Sequence, residues 1–153
     1  MSLSTTQRET AEPPPQALVL SLKPRFANAI LDATKTVELR RTRIAAPPGT
    51  RLVLYASAPV MAVVGFATLA ATDTDLPERI WRRHRRNLGL NRGEYDLYLD
   101  GAKAATAVTI VDPERLTRPH ALAALREETG FRPPQSYRYL TAVDPEVLRA
   151  AIN

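Results

Sequence analysis

The chain has 153 residues, 44% of them hydrophobic, and a formal net charge of +5 at neutral pH. This length suits one domain with a hydrophobic core, and the positive charge favours an anionic partner. The chain has no cysteine and only two histidines, which excludes disulfides, thiolate nucleophiles and cysteine-ligated zinc and argues against a histidine-rich metal site. We therefore expect neither a metal nor another cofactor.

The first sixteen residues are rich in Ser, Thr, Glu and Pro and carry no periodic apolar pattern. This composition predicts a disordered tail over residues 1–16 and a folded domain over residues 17–153. The N-terminus lacks the apolar segment of a signal peptide, and no apolar run is long enough to cross a membrane. We expect a cytoplasmic protein without membrane contact.

A buried strand and a short helix are predicted next. Residues 17–22 form an apolar run typical of a buried strand. Apolar residues recur at helical spacing over residues 24–33, and Pro24 occupies the first turn, where its missing N–H would have no partner in any case. The chain therefore enters a helix directly after its first strand.

A charged strand follows this helix. Residues 36–41 alternate, which places Val37 and Leu39 on one face and Glu38 and Arg40 on the other. A strand of this kind can hold an ordered charge pair at the rim of a sheet.

The remaining elements are short apolar runs and capped amphipathic segments. Gly65 interrupts one apolar run and suggests a bend or bulge. The pattern predicts an α+β fold, a small mixed β-barrel of five or six strands with flanking helices. The further predicted strands are 51–57, 60–69, 104–111 and 137–141, and the further helices are 76–87, 91–99, 119–128 and 147–152.

Three ordered motifs resemble the ASCH domain family, a member of the PUA-like superfamily. They are SLKPRFANAILDATKTVELRR at 21–41, LVLYASAPVMAVVG at 52–65 and RPPQSYRYL at 132–140. The resemblance implies a PUA-like barrel in which the helix and charged strand of the first motif frame a cleft. It also implies RNA, a nucleotide or a nucleoside as the partner.

The cleft implied by this resemblance defines the candidate binding residues. Basic side chains there would hold phosphates, Glu38 would accept a hydrogen bond from an exocyclic amine, and Tyr55 would stack on a base. The candidate nucleic-acid-binding residues are Lys23, Arg25, Lys35, Arg40, Arg41, Tyr55, Ser57, Gln135, Ser136 and Arg138. The alternatives are a solvated charged edge around Glu38 and packing roles for the tyrosines.

An enzyme is the alternative to a pure binding module. One ASCH branch resembles an amidohydrolase of N4-acetylcytidine, in which Lys35 would match the lysine, whereas Glu38 replaces the threonine three residues later. Another branch resembles a ribonuclease, for which Tyr55 and Ser136 fit, whereas Met61 replaces the expected lysine. The candidate catalytic residues are Lys35, Glu38, Tyr55 and Ser136, and any activity is expected to be hydrolytic and metal-independent.

A run of arginines over residues 79–86 allows three interpretations. It can be the solvated face of a helix, a track for a phosphate backbone, or a surface for an acidic protein partner. His84 shares a helix face with Ile80 and Leu88, which favours a half-buried packing role over metal binding or catalysis. The sequence leaves the choice between these interpretations open.

Overall fold

The computed structural model describes residues 16–152, so residues 1–15 of the predicted tail lie outside the described part. Six strands and five helices follow one another in this part. The strands are β1 (Ala17–Leu22), β2 (Val37–Arg40), β3 (Arg51–Ala56), β4 (Ala62–Asp75), β5 (Ala105–Ala121) and β6 (Tyr137–Tyr139). The helices are α1 (Pro24–Leu31), α2 (Pro77–His84), α3 (Arg92–Tyr98), α4 (Leu122–Thr129) and α5 (Glu146–Ala150).

All six strands belong to one mixed sheet with the order β2-β5-β4-β3-β1-β6. β1 and β3 are parallel, and the other neighbouring pairs are antiparallel. The sheet curls into a half-barrel with the helices around it, so the predicted mixed barrel with flanking helices is confirmed.

Side chains bridge the gap between the two edge strands. Arg40 of β2 donates to the Ser21 carbonyl at 3.0 Å and to the Ser136 hydroxyl at 3.2 Å. The hydroxyl of Tyr139 in β6 donates to the carbonyl of Ala45, which follows β2, at 2.7 Å. These bonds hold β2 beside β1 and β6 where no strand ladder joins them.

Alternation along the strands creates two apolar layers. In β1, Leu18 and Leu20 pack into the inner cluster together with Ile30 of α1. Val19 faces the other side and packs with Leu122 of α4. α1 thus fills the concave side of the sheet and α4 covers the convex side, as the period of two in β1 requires.

The predicted helices are confirmed, each of them shorter than predicted and two of them shifted by one residue at one end, and one strand is much longer than predicted. α4 begins at Leu122 because β5 continues to Ala121. The pairing of β5 with β4 skips Pro113 and Pro119, which lack the N–H that a regular ladder needs. Asn91 and Glu94 form a capping box at the start of α3. None of the helices in residues 16–152 is long and apolar enough to span a membrane.

Gly65 allows β4, β5 and α1 to approach one another closely. The pairing of β4 with β5 shifts register next to it, and a Cβ here would lie 2.6 Å from the Glu114 carbonyl oxygen and 2.6 Å from a Leu31 methyl carbon. We expect Gly65→Ala to lower the free energy of unfolding by about 2–3 kcal/mol through overpacking. Urea denaturation measures this loss, and Gly93→Ala in α3 serves as a control that should be neutral or slightly stabilising. Equal stability of the two variants would contradict the prediction.

Candidate functional site

A cleft of about 530 Å³ opens between α1, β2 and α3, beside the end of β1. Its polar lining residues are Ser21, Lys23, Arg25, Lys35, Glu38, Arg40, Ser57, Glu94 and Gln135. Its apolar wall includes Leu22, Phe26, Leu39, Leu90, Leu97 and Tyr98. No group of three or more His, Asp or Glu side chains that could hold a metal ion occurs in residues 16–152.

Three charged side chains form a buried row on the floor of the cleft. Glu38 lies between two cations, 3.3 Å from Lys35 Nζ and 3.1 Å from an Arg40 guanidinium nitrogen. The alternation of β2 produces this row, because the side chains of Val37 and Leu39 pack in an apolar cluster on the opposite face, although Leu39 also borders the cleft between Glu38 and Arg40. The exposed fractions of the Lys35, Glu38 and Arg40 side chains are only 1%, 8% and 7%.

The Lys35 ammonium is buried among protein groups. It donates to the Leu88 carbonyl and lies 4.9 Å from the centre of the Phe26 ring. Burial lowers the pKa of Lys35 below its ordinary value; Glu38 opposes this shift, and Arg40 and Arg25 add to it. Loss of the proton is therefore easier at Lys35 than at a solvated lysine.

Arg40 connects the charged row to the neighbouring strands. Besides Glu38, it binds the Ser21 carbonyl at 3.0 Å and the Ser136 hydroxyl at 3.2 Å. Its Nε is buried and has no hydrogen-bond partner within residues 16–152. Arg40 thus fixes the position of the Glu38 carboxylate and brings Ser136 to the edge of the cleft.

An ion pair crosses the rim of the cleft from α1 to α3. Arg25 donates to Glu94 at 2.6 Å and to the Gly89 carbonyl at 3.2 Å. Glu94 also accepts the backbone N–H of Asn91 at 3.0 Å, as part of the capping box. The pair with Arg25 and this backbone bond lower the pKa of Glu94 to about 2.

The depressed pKa of Glu94 predicts acid sensitivity. The group stabilises the fold above its ordinary pKa of 4.5, and this contribution is lost as the pH falls from about 4.5 towards about 2. We expect Glu94→Gln to reduce the pH dependence of the urea midpoint in this window. Glu128→Gln, which changes an exposed residue, is the control and should leave the dependence unchanged. Identical pH profiles for wild type and Glu94→Gln would contradict the prediction.

The cleft brings together most of the candidate residues. Seven of them line it, and an eighth, Ser136, is bonded to Arg40. The seven lining residues are Lys23, Arg25, Lys35, Glu38, Arg40, Ser57 and Gln135.

Three candidates lie elsewhere. Tyr55 is 4% exposed and packs in the convex cluster under α4, where burial raises the pKa of its phenol. Arg41 donates to the carbonyls of Tyr98 and Asp100. Arg138 binds Asp144 at 2.9 Å, away from the cleft lining. For Tyr55 the sequence allowed either stacking on a base or packing in the core, and the structure shows packing in the core.

Sequence reasoning did not identify the wall that α3 contributes. Leu97 and Tyr98 line the cleft and remain 79% and 41% exposed, and Phe26 and Leu90 join them. The capping box locates α3 in the sequence but carries no information about which element the helix faces. Only the unusual exposure of an apolar residue such as Leu97 marks this surface, and exposure requires the structure.

No family model matches the chain. An ASCH domain-containing ribonuclease from Zymomonas mobilis is 39% identical over 132 residues, which cover 85% of this chain and 88% of that protein.

Solved structures agree with this relationship. A crystal structure of a serine-to-alanine variant of an ASCH protein from Zymomonas mobilis has a TM-score of 0.82 and 34% identity, covering 93% of this chain and 100% of that one. A protein from Pseudomonas putida, at 14% identity and a TM-score of 0.58, covers 90% of this chain and 99% of that one and shares the fold. The chain belongs to the ASCH domain family.

Proposed function

We propose that this chain binds single-stranded RNA in the cleft and hydrolyses it. The observation that carries the proposal is the 39% identity, over most of both chains, to a protein named as a ribonuclease. The cleft supplies the chemistry that such a function needs, because it combines basic side chains, hydrogen-bonding groups and an apolar wall. The cytoplasmic location stays a prediction.

The lining of the cleft suits one nucleotide of a single strand. Its volume falls within the range of small-molecule sites. Lys23 and Arg25, both exposed at the rim, can bind a phosphate. The ring of Tyr98 provides a face for a base, while Ser57 and Gln135 offer hydrogen bonds to a base edge or sugar.

The charged row can carry out acid–base chemistry on RNA. In the proposed step the 2′-oxygen attacks the adjacent phosphorus and the bond to the 5′-oxygen breaks. Glu38 accepts the proton of the 2′-hydroxyl, and Lys35, whose pKa is lowered, delivers a proton to the departing 5′-oxygen. The products are a 2′,3′-cyclic phosphate and a 5′-hydroxyl. Arg40 keeps Glu38 in place and offsets the charge of the phosphorus centre.

Ser136 and Tyr55 receive support from the solved relatives. Besides the serine-to-alanine variant, a tyrosine-to-phenylalanine variant of the Zymomonas mobilis ASCH protein has been solved, and the two replaced residues are separated by the same number of residues as Tyr55 and Ser136. The Ser136 hydroxyl accepts a hydrogen bond from Arg40, which lines the cleft. Tyr55 is paired with Ser21 in the β1–β3 ladder. Because the Ser21 carbonyl binds Arg40, we assign Tyr55 a positioning role.

Met61, which replaces the lysine expected in the ribonuclease branch, lies outside the cleft. Met61 lies in the exposed turn before β4 and is absent from the cleft lining. A ribonuclease that depends on a lysine at this position would be impaired here. In the proposed mechanism Lys35 supplies the cation instead, from the floor of the cleft.

Amidohydrolysis of N4-acetylcytidine is the second candidate. It is favoured by one observation, the buried lysine of lowered pKa beside Glu38. In this alternative the lysine activates water or attacks the acetyl carbon, and no phosphate chemistry takes place.

One set of assays separates these functions. Purified protein is incubated with a labelled single-stranded RNA 12-mer, with its 2′-O-methyl counterpart and with N4-acetylcytidine, each with and without EDTA. We expect cleavage of the RNA alone, unaffected by EDTA, with cyclic phosphate ends. Release of acetate from the nucleoside would favour the amidohydrolase. Binding of both oligonucleotides without any turnover would leave a binding module, and cleavage of 2′-O-methyl RNA would contradict the 2′-oxygen mechanism.

A further inference from the structure

The arginines of α2 and the loop after it fall into two groups. Arg83 lies 3.0 Å from Asp73 and 2.9 Å from Asp75. Arg79 lies 3.6 Å from the same Asp75. Carboxylates thus neutralise these two, and they hold α2 against the end of β4. The exposed arginines of this run that have no carboxylate within ion-pair distance in residues 16–152 are Arg82, Arg85 and Arg86.

These three arginines precede residues 87–90, a segment whose last residue, Leu90, lines the cleft. The Asn87 carbonyl accepts the backbone N–H groups of Thr36 and Val37 at 3.1 and 3.0 Å. The Leu88 carbonyl accepts the Lys35 ammonium, and the Gly89 carbonyl accepts Arg25. The chain directly after Arg86 is therefore attached to both β2 and α1.

The short distance along the chain limits how far these arginines lie from the cleft. Arg86 is four residues before Leu90, which lines the cleft, so their Cα atoms are separated by no more than about 14 Å. An RNA strand with one nucleotide in the cleft extends its neighbouring phosphates over the rim. Exposed guanidinium groups without a carboxylate partner are suited to bind such phosphates, often through two hydrogen bonds.

We propose that Arg82, Arg85 and Arg86 form a second RNA-contact surface, the arginine track, which binds the phosphodiester backbone next to the nucleotide in the cleft. This inference rests on the proposed function, since it requires RNA in the cleft. It assigns to the chain a substrate longer than a single nucleotide. The track carries affinity through charge and makes no demand on base sequence.

The test compares RNA length and salt dependence. Fluorescence anisotropy measures binding of a labelled 2′-O-methyl trinucleotide and a 12-mer, at several salt concentrations, to wild type and to the double variant Arg85→Gln with Arg86→Gln. The expected result is roughly tenfold weaker binding of the 12-mer at low salt, with a salt slope reduced by about 1.4 for two lost phosphate contacts. Affinity for the trinucleotide should be unchanged.

Matched controls separate the track from net charge and from the cleft. Arg118→Gln with Arg132→Gln removes the same charge from two exposed arginines that are not part of the cleft lining, and it should leave the 12-mer affinity unchanged. An equal loss in this control, or no loss in the track variant, would overturn the inference while trinucleotide binding still supports the cleft. No RNA binding by wild type would overturn both. Loss of polyglutamate binding with unchanged RNA affinity would assign the track to an acidic protein.

Discussion

Replacing Arg40 by methionine should cost the protein about 3–5 kcal/mol of folding free energy, the usual loss when one member of a buried ion pair is removed. Arg40 is 6% exposed and is one of the two cations that contact Glu38. The variant also leaves the Ser21 carbonyl and the Ser136 hydroxyl without this donor. Since small domains are stable by only about 5–15 kcal/mol, urea unfolding followed by circular dichroism should show the loss clearly.

The neighbouring residue provides the control. Arg41→Met removes the same charge one position later, but Arg41 is exposed and donates only to two backbone carbonyls, at 2.8 and 3.0 Å. We expect it to change stability by less than about 1 kcal/mol. If Arg40→Met were as stable as Arg41→Met, the bridge between the edge strands would have no structural importance.

Local patterns in the sequence were sufficient to predict most of the elements. The helical spacing after Pro24 and the capping residues Asn91 and Glu94 mark helices that the structure contains. The alternation of β2 also correctly puts Glu38 and Arg40 on one face, because side chains in a strand alternate regardless of what lies around them. The long β5 was missed because Pro113 and Pro119 are ordinarily signs of a loop.

Which residues meet in the cleft depends on contacts between parts of the chain that are distant in sequence. Burial of Lys35 requires Leu88, and the rim requires Arg25 to meet Glu94, 69 residues later. No local pattern encodes such contacts. Tyr55 shows the same limit, since a strand with apolar residues on both faces does not reveal which face borders the cleft.

The structure shows the direction of the pKa shift at Lys35, which the sequence does not reveal. Glu38 favours the charged form of Lys35, whereas burial and neighbouring cations favour the neutral form. In the folded protein burial is the largest influence and the pKa is lowered, with Arg40 and Arg25 as the contributing cations. Lys23 is exposed at the rim and is not one of these cations. Lys35 therefore releases its proton more readily than a solvated lysine does.

Substituting Lys35 with methionine should reduce RNA hydrolysis at least about 100-fold, the typical loss when one preorganised donor is removed from a reacting centre. The change removes one cation of the buried row and should also lower the folding free energy. Methionine has a similar length, and Glu38 keeps its contact with Arg40 at 3.1 Å, so we expect the variant to remain folded despite this loss. Circular dichroism and urea unfolding verify this before the 12-mer cleavage assay.

A control variant, Lys23→Met, separates the effect on RNA binding from the effect on the chemical step. Lys23→Met removes an equal charge from the exposed rim and should weaken RNA binding several-fold, with little change in the rate at saturating RNA. Lys35→Met should show the reverse, because its ammonium is 1% exposed and contributes little to the encounter with phosphate. The pH profile adds a further criterion: if Lys35 is the acid, wild-type hydrolysis falls as the pH rises past the lowered pKa of this lysine, and the variant lacks this limb. A fully active, folded Lys35→Met protein would exclude Lys35 from the reaction and shift the catalytic role to Ser136.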